Sequence, residues 1–207
     1  MDAAGRRPRV PADAELDLGV GRGQGAPDGA RLLQPVLIRF PIQTERLSIR
    51  PLAEADAGAM LAVHGDPEVM RFSLSGASTG EESDARVRSM IEHQERHGFS
   101  KWGVEERASG ALVGDCGVQL LEGGPDVELG FHLRRSVWGR GYATEAARAC
   151  LEASFAGLGL DQVIAIVAPG NGASVRVLEK IGMRPAGTRD ALGRTWDLFT
   201  AVRYRAR

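Results

Sequence analysis

The chain has 207 residues, of which 43% are hydrophobic, and its formal net charge is -1. This length and composition are typical of a soluble protein with one sizeable hydrophobic core. A charge near zero argues against a protein that coats nucleic acid, and no apolar run approaches the roughly 20 residues of a membrane-spanning helix. We therefore expect neither a nucleic-acid partner nor a membrane partner.

The two cysteines and four histidines lack the spacing of a metal site. Cys116 and Cys150 are interpreted as buried thiols of a reducing compartment. His93 and His97 have the i, i+4 spacing of two ligands on one helix, but no third ligand accompanies them, so we expect surface histidines. The sequence predicts no metal. It also predicts a cytoplasmic location, because the basic N-terminus is not followed by the apolar core of a signal peptide.

The composition changes near Val36. Residues 1–35 are rich in glycine, proline, alanine and charged residues and show little periodicity, which predicts a disordered arm. Residues 21–26 of this arm fit the pattern G-x-G-x-x-A, but no apolar strand precedes them and Pro27 follows where a helix should run. The pattern is therefore not interpreted as a dinucleotide site. Residues 36–207 are expected to form a single domain.

A strand and two helices are the first predicted elements. Residues 47–52 alternate apolar and polar side chains and end at a proline, which predicts a strand. A helix is predicted over residues 54–63. Thr79 and Glu82 have the spacing of a capping box, so a second helix is predicted over residues 80–97.

Three strands are predicted next, over residues 102–106, 112–121 and 127–133, with strong turn signals between them. Such closely connected strands are expected to form an antiparallel meander. Because successive side chains of a strand point to opposite faces, the apolar residues of the third strand share one face and Glu128 lies on the other.

Residues 138–145, W-G-R-G-Y-A-T-E, predict an anion-binding helix start. Glycine allows a close approach of the backbone to a ligand, and the first turn of a helix has unpaired N–H groups and a partial positive charge. A pyrophosphate is the expected ligand, although a glycine-flanked helix start is as often a plain turn. The helix itself is predicted over residues 142–155.

The rest of the chain is predicted to contain two more strands and a short helix. Residues 163–167 are apolar throughout, as expected for a strand buried on both faces, and complete a strand–helix–strand crossover around the glycine segment. A short helix follows residues 169–174, runs through Lys180 and is closed by Gly182. Residues 195–204 form the last predicted strand.

Three separated blocks of the sequence resemble the GNAT superfamily of acyl-CoA-dependent N-acyltransferases. They are residues 128–131, the block W-G-R-G-Y-A-T-E-A from Trp138, and residues 168–183. The segment T-E-R-L-S-I-R-P-L from Thr44 resembles the Rim-type branch, named for ribosomal-protein alanine N-acetyltransferases. The resemblance covers about residues 40–204. It implies an α+β fold, with a mixed, mostly antiparallel central sheet whose middle strands splay apart to admit acetyl-CoA, flanked by helices.

The resemblance also implies roles for individual residues. Six residues match the pyrophosphate loop of the family: Gly139, Arg140, Gly141, Tyr142, Ala143 and Thr144. The backbone of Phe131, His132 and Leu133 matches the strand that pairs with the pantetheine arm of the cofactor. Asn171 matches a residue that contacts the same arm, and Ser174 matches one often proposed to protonate the departing thiolate.

Glu128 is the predicted catalytic base. An amine attacks a thioester only when it is unprotonated, and a reference pKa of about 7.7 to 8.0 makes an N-terminal amine the easier nucleophile than lysine, at about 10.4. A desolvated Glu128 would accept the amine proton, directly or through a water, but a purely structural carboxylate explains this residue equally well. The expected protein is an N-acetyltransferase with acetyl-CoA as co-substrate and a protein N-terminus or a small amine as acceptor, present as a monomer or homodimer.

Alternatives remain open at the sequence level. A non-catalytic acyl-CoA-binding or sensory module would keep the same anion cradle, that is, the pyrophosphate-binding residues 139–144. Ser174 is also explained as a helix-start hydroxyl, and His132 as a solvated or hydrogen-bonded strand residue. The acceptor is expected to be selected by residues 72–80 and 190–196, which have no readable chemical code.

Overall fold

The computed structural model describes residues 38–121 and 124–203, so the predicted arm over residues 1–35 lies outside the described residues, as does the predicted strand end at Tyr204. The described strands are β1 (Ile42–Gln43), β2 (Leu47–Arg50), β3 (Lys101–Glu106), β4 (Ala111–Leu120), β5 (Val127–Leu133), β6 (Gln162–Val167), β7 (Arg184–Ala191) and β8 (Arg194–Val202). The α-helices are α1 (Ala57–His64), α2 (Gly80–His97), α3 (Tyr142–Leu158) and α4 (Gly172–Lys180). Among the described helices, none has the length and apolar character needed to cross a membrane.

One sheet contains all eight described strands, in the order β1-β2-β3-β4-β5-β6-β8-β7. Neighbouring strands are antiparallel except β5 and β6, which are parallel and joined by α3. The predicted meander is β3-β4-β5, and the crossover around the glycine segment is β5-α3-β6. The expected mixed, mostly antiparallel sheet with flanking helices is confirmed.

The two parallel strands separate along their length. Their register contains one residue pair, Glu128 with Ile164, although β5 continues to Leu133 and β6 to Val167. Each strand keeps a regular antiparallel partner on its other side, β4 for β5 and β8 for β6. The facing edges therefore carry backbone groups that no neighbouring strand pairs, as expected for the splayed middle strands.

Helices pack on both faces of the sheet. On one face, α3 places its small residues Ala146, Ala147 and Cys150 against β4 and β5, and all three are fully buried. On the other face, α1 and α2 bury a smaller apolar cluster that includes Met60 and Val87. Small side chains let α3 lie close to the sheet, which positions its first turn at the separated end of β5.

Strand β7 was not predicted from the sequence. It is an edge strand that is mostly exposed, so its residues lack the apolar alternation that identifies a half-buried strand. The two-residue connection to β8, Leu192-Gly193, has positive φ values of 53° and 76°, as in a type I′ hairpin turn. Residues 190–196, expected to help select the acceptor, thus form the end of β7, the turn and the start of β8.

Candidate active site

A cleft of about 650 Å³ opens where β5 and β6 separate. It is bounded by the glycine segment before α3, by the facing edges of β5 and β6, and by the start of α4. The loop after α1 and the tip of the β7–β8 hairpin also line it. The predicted site residues that line this cleft are Glu128, Phe131, His132, Leu133, Gly139, Gly141, Tyr142, Ala143, Thr144, Asn171 and Ser174.

The glycine segment has a backbone that favours glycine. Gly139 and Gly141 have φ values of 74° and 81°, in the left-handed region where side chains are strained. Gly141 immediately precedes α3 and provides no side chain to cap it. The first N–H groups of the helix, which have no partner within the helix, therefore remain available at the cleft, and this arrangement binds anions.

Arg140 is the one predicted site residue that is not part of the cleft lining. Its guanidinium lies 2.7 Å from Glu106 Oε1 and 4.4 Å from the centre of the Tyr142 ring. The Tyr142 hydroxyl donates to the same Glu106 oxygen over 2.7 Å. Hydrogen bonds from Tyr142, Ser109 and Arg140 lower the pKa of Glu106 to about 2. The side chains of Arg140 and Tyr142 thus fix the segment to β3, and their backbone N–H groups remain available to a ligand.

Arg46, which was not singled out in the sequence, holds the same segment from the other side. It donates from Nη1 to the Arg140 carbonyl over 2.8 Å and from Nε to Glu145 Oε2 over 2.7 Å. Thr44 Oγ1 donates to Glu145 Oε1 over 2.6 Å. Burial alone would raise the pKa of Glu145, but the bonds from Thr44 and Arg46 keep it below its ordinary value. The T-E-R segment before β2 is the part of the sequence that could have indicated these contacts.

Glu128 lies where β5 and β6 begin to separate. Burial raises the pKa of its carboxyl above the ordinary value, whereas the charge of Lys101 and a backbone hydrogen bond from Ile166 oppose that rise. The carboxylate therefore contacts the N–H of a β6 residue beyond the last paired position. This geometry fits both predicted roles, because the group links the two strands and also faces the cleft as a partly desolvated base.

Lys101 also lines the cleft, and it was not singled out in the sequence. A Cβ built on Gly130 would lie 2.7 Å from Lys101 Cε and 2.8 Å from its Nζ. The strand register pairs Lys101 with Gly117 and Gly117 with Gly130, so the lysine side chain crosses β4 over one glycine and ends beside another. Only the sheet register, which the sequence does not show, identifies these two glycines as the path of the side chain.

His132 belongs to a buried hydrogen-bonded group. Its Nδ1 lies 3.2 Å from Asp115 Oδ1, and His64 Nε2 lies 3.1 Å from Asp115 Oδ2. Burial alone would raise the pKa of Asp115, but the two histidines hold it well below its ordinary value. Because an ionised carboxylate only accepts hydrogen bonds, both imidazoles donate to it. The hydrogen-bonded interpretation of His132 is therefore confirmed.

The fold also corrects the view that the histidines form no ligand cluster. Ligand atoms of His64, Asp115 and His132 lie within 4.8 Å of one another, a set that could hold a metal ion. Both carboxylate oxygens of Asp115 already accept hydrogen bonds from the two histidines, and a 3.4 Å contact with Ser83 Oγ engages the second nitrogen of His64. The residues are far apart in the sequence, so spacing carried no signal.

At the start of α4, Asn171 provides the helix cap. Its side-chain oxygen accepts a hydrogen bond from the backbone N–H of Ser174 over 3.1 Å. The hydroxyl of Ser174 has no hydrogen-bond partner among the described contacts and lies in a residue that lines the cleft. Capping by Asn171 thus leaves the Ser174 hydroxyl available to a ligand.

Known proteins resemble this chain in sequence and in structure. Residues 46–184 match a family model described as an acetyltransferase (GNAT) domain. The uncharacterised protein YkkB of Bacillus subtilis (strain 168) is 34% identical over 162 residues, which cover 77% of this chain and 91% of YkkB. Other relatives from Bacillus subtilis are named as uncharacterised N-acetyltransferases.

Solved structures share the fold. A GNAT-family acetyltransferase from Bacillus anthracis superposes with a TM-score of 0.66 at 29% identity, covering 76% of this chain and 94% of that one. A ribosomal-protein-S5-alanine acetyltransferase from Vibrio fischeri has a TM-score of 0.65 at 16% identity, covering 77% and 94%. Residues 46–184, which match the family model, include the strands and helices that line the cleft from α2 to α4.

Proposed function

The chain belongs to the GNAT family of acetyltransferases, and on that premise we propose that it transfers an acetyl group from acetyl-CoA to a primary amine by direct attack in a ternary complex. The observation that carries the proposal is one cleft that joins an uncapped helix start, two separated strand edges and a free hydroxyl. Each part of the reaction has a matching group along this cleft.

The described residues fit coenzyme A as a bound co-substrate. The first N–H groups of α3 hold the pyrophosphate, because Gly141 brings no side chain between them and the ligand. Arg176 and Lys180 line the same cleft from α4 and supply positive charge for the nucleotide phosphates. The free edge of β5, residues 131–133, pairs with the amides of the pantetheine arm as an added strand would.

Glu128 and Ser174 carry the proton transfers of the proposed reaction. Glu128 accepts a proton from the acceptor amine, directly or through a water, as the nitrogen bonds to the thioester carbonyl carbon. A backbone N–H on the free edge of β5 stabilises the oxyanion that forms. The carbon–sulfur bond then breaks as the carbonyl re-forms, and the Ser174 hydroxyl donates a proton to the departing thiolate. Solvent returns a proton to Ser174, and Glu128 releases to solvent the proton that it took from the amine. The products are an N-acetylated amine and the free thiol of CoA.

The acceptor is proposed to be a protein N-terminal amine or a small amine. It enters at the end of the cleft lined by Phe72, Ser73 and Leu74 from the loop after α1 and by Leu192 and Trp196 from the β7–β8 hairpin. The Rim-type resemblance of the segment from Thr44 supports the N-terminal acceptor.

The test is acceptor-dependent release of CoA thiol. The purified protein is incubated with acetyl-CoA and a panel of N-terminal peptides and small amines, and acetylated products are identified by mass spectrometry. We expect thiol release that requires an acceptor, with one acetyl group added per thiol. Tight binding of CoA without release from any acceptor would instead indicate a non-catalytic acyl-CoA-binding module.

A further inference from the structure

We propose that the acceptor carries an anionic group, a carboxylate, close to the amine that is acetylated. The inference rests on the proposed acetyl transfer and narrows its acceptor class. Three cationic side chains line the acceptor end of the cleft: Arg71 after α1, Arg86 on α2 and Lys101 on β3. They come from three different segments and converge on one space.

These three cations lack an ion-pair partner among the described residues. Among the ion pairs formed within residues 38–121 and 124–203, none includes Arg71, Arg86 or Lys101. Arg86 donates to the hydroxyl of Ser75, and the Arg71 guanidinium lies 5.4 Å from the centre of the Phe72 ring. Neither contact is with an acidic group. The charge of Arg86 also acts on Glu82, one turn earlier on α2, but the two form no ion pair and Glu82 lies outside the described cleft lining, so the guanidinium can still bind a ligand.

Lys101 places one of these charges near the reacting amine. Its ammonium lies beside Gly130, and Glu128 is two positions earlier on the same face of β5. Two positions along a strand span about 7 Å. Lys101 and Glu128 do not form an ion pair, although the lysine charge lowers the pKa of the carboxyl. A ligand with an amine at Glu128 and a carboxylate at Lys101 fits between them.

The balance of charge at this end of the cleft favours an anion. The described lining contains two acidic residues, Glu68 and the proposed base Glu128. Three cations face them at this end: Arg71, Arg86 and Lys101. Arg176 and Lys180 lie at the α4 end, where the nucleotide is expected. A field of this sign repels polycationic amines such as polyamines and aminoglycosides and attracts acceptors that bear a carboxylate.

Two sources supply the same chemistry: a free amino acid, and a peptide whose first or second residue is acidic. The experiment measures kcat/KM for matched pairs of acceptors, an amino acid against its amide and a peptide beginning with Asp or Glu against one beginning with Asn or Gln. We expect the carboxylate member of at least one pair to be preferred about tenfold or more, as for a hydrogen bond to a charged group. The pair that shows the preference identifies the source.

Variants then assign the preference to the cations. Arg86→Glu and Lys101→Met are expected to bring the carboxylate-to-amide ratio close to one. Arg88→Glu is the matched control, because Arg88 lies on the same helix but is exposed and outside the cleft lining, and it is expected to keep the wild-type ratio. The ratio compares two acceptors on the same variant protein, so a partial loss of folded protein lowers both rates equally and does not change the ratio.

Acetyl transfer with a wild-type ratio near one for every pair, or a preference for polyamines, would overturn this inference and leave the acetyltransferase intact. A ratio that persists in both cleft variants would also overturn it. The absence of transfer to any acceptor, with CoA still bound, would overturn the proposed function and this inference with it.

Discussion

Glu128 has a structural contact and can also act as a proton acceptor. Its carboxylate accepts a hydrogen bond from the backbone of Ile166 across the point where β5 and β6 separate, and burial raises its pKa. A raised pKa makes a carboxylate a better proton acceptor at neutral pH, provided that it remains ionised. The nearby charge of Lys101 limits the rise and keeps the ionised form accessible.

Replacing Glu128 by Gln separates these two roles. Glutamine retains an oxygen for the Ile166 N–H but cannot take a proton, so we expect kcat to fall about 100-fold or more. The wild-type rate should rise with pH through a pKa above 4.5, because only the ionised carboxylate is a base, and this dependence should be lost in the variant. An unchanged CoA affinity is the control. A variant with wild-type kcat would show that Glu128 is only structural.

Gly141→Asp tests the cradle directly. An aspartate at this position places a carboxylate at the first N–H groups of α3, where it competes for their hydrogen bonds and repels the pyrophosphate. We expect the affinity for CoA, measured by calorimetry, to fall about tenfold or more. Gly110→Asp is the matched control, since Gly110 also has a positive φ, 68°, but lies in the turn between β3 and β4. Equal CoA affinity in the two variants would contradict the cradle.

The predictable residues of the site are those whose role depends on local chain geometry. Gly139 and Gly141 precede a helix, so the local sequence indicated either an anion-binding helix start or a plain turn, and the family resemblance favoured the anion-binding start. His64 and Asp115 gave no such signal, because a buried hydrogen-bonded group depends on contacts between segments that are far apart in sequence. Lys101 was missed for the same reason, since its position follows from the pairing of three strands.

His93 connects two elements, the end of α2 and the end of β4. Its Nδ1 lies 2.7 Å from the Phe99 carbonyl oxygen, and its Nε2 lies 3.2 Å from the Leu120 backbone N–H. A ring that donates at Nδ1 and accepts at Nε2 is neutral. The prediction of a surface histidine is therefore wrong for His93, which is half-buried and bonded on both sides.

This pairing makes stability depend on pH. Burial lowers the pKa of His93 below 6.5, so the unfolded chain takes up a proton first as the pH falls. The contribution of His93 is complete above about pH 6.5 and is lost as the pH falls through the lowered pKa of the folded state. We expect His93→Gln to flatten the decline in the free energy of unfolding between pH 7 and 5. His97→Gln, at an exposed position, should keep most of the decline, because burial is a larger cause of the lowered pKa of His93 than the charge of His97. The same decline in both variants would contradict the assignment.

Elements with strong local signals were predicted almost to the residue. The capping box of Thr79 and Glu82 begins α2 as expected, and β5 has its predicted bounds. β7 had no such signal, because an exposed edge strand takes its conformation from its neighbour β8. The separation of β5 from β6 was implied by the family resemblance, since no periodicity encodes where two strands stop pairing.

The sheet consists of two antiparallel halves, β1-β5 and β6-β8. Their adjoining strands, β5 and β6, are in register at a single residue pair. A ligand that fills the cleft between them adds contacts to both halves. A molecule that binds the folded state alone stabilises it by mass action, by about 2.7 kcal/mol at 100 times its dissociation constant.

CoA is therefore expected to raise the midpoint of thermal unfolding by several degrees at saturating concentration. The shift should grow with CoA concentration and should be much smaller in Gly141→Asp, which retains the cleft but alters the cradle. Adenosine without phosphates is the ligand control. An equal shift in wild type and Gly141→Asp would place the main contribution to binding outside the helix start.

Initial rates with acetyl-CoA and the best acceptor varied together test the proposed reaction most directly. Direct attack needs both substrates in the cleft at once, so double-reciprocal plots should intersect, and thiol should form only when the acceptor is present. Parallel lines, or an acetylated protein isolated before the acceptor is added, would contradict transfer in a ternary complex at this cleft.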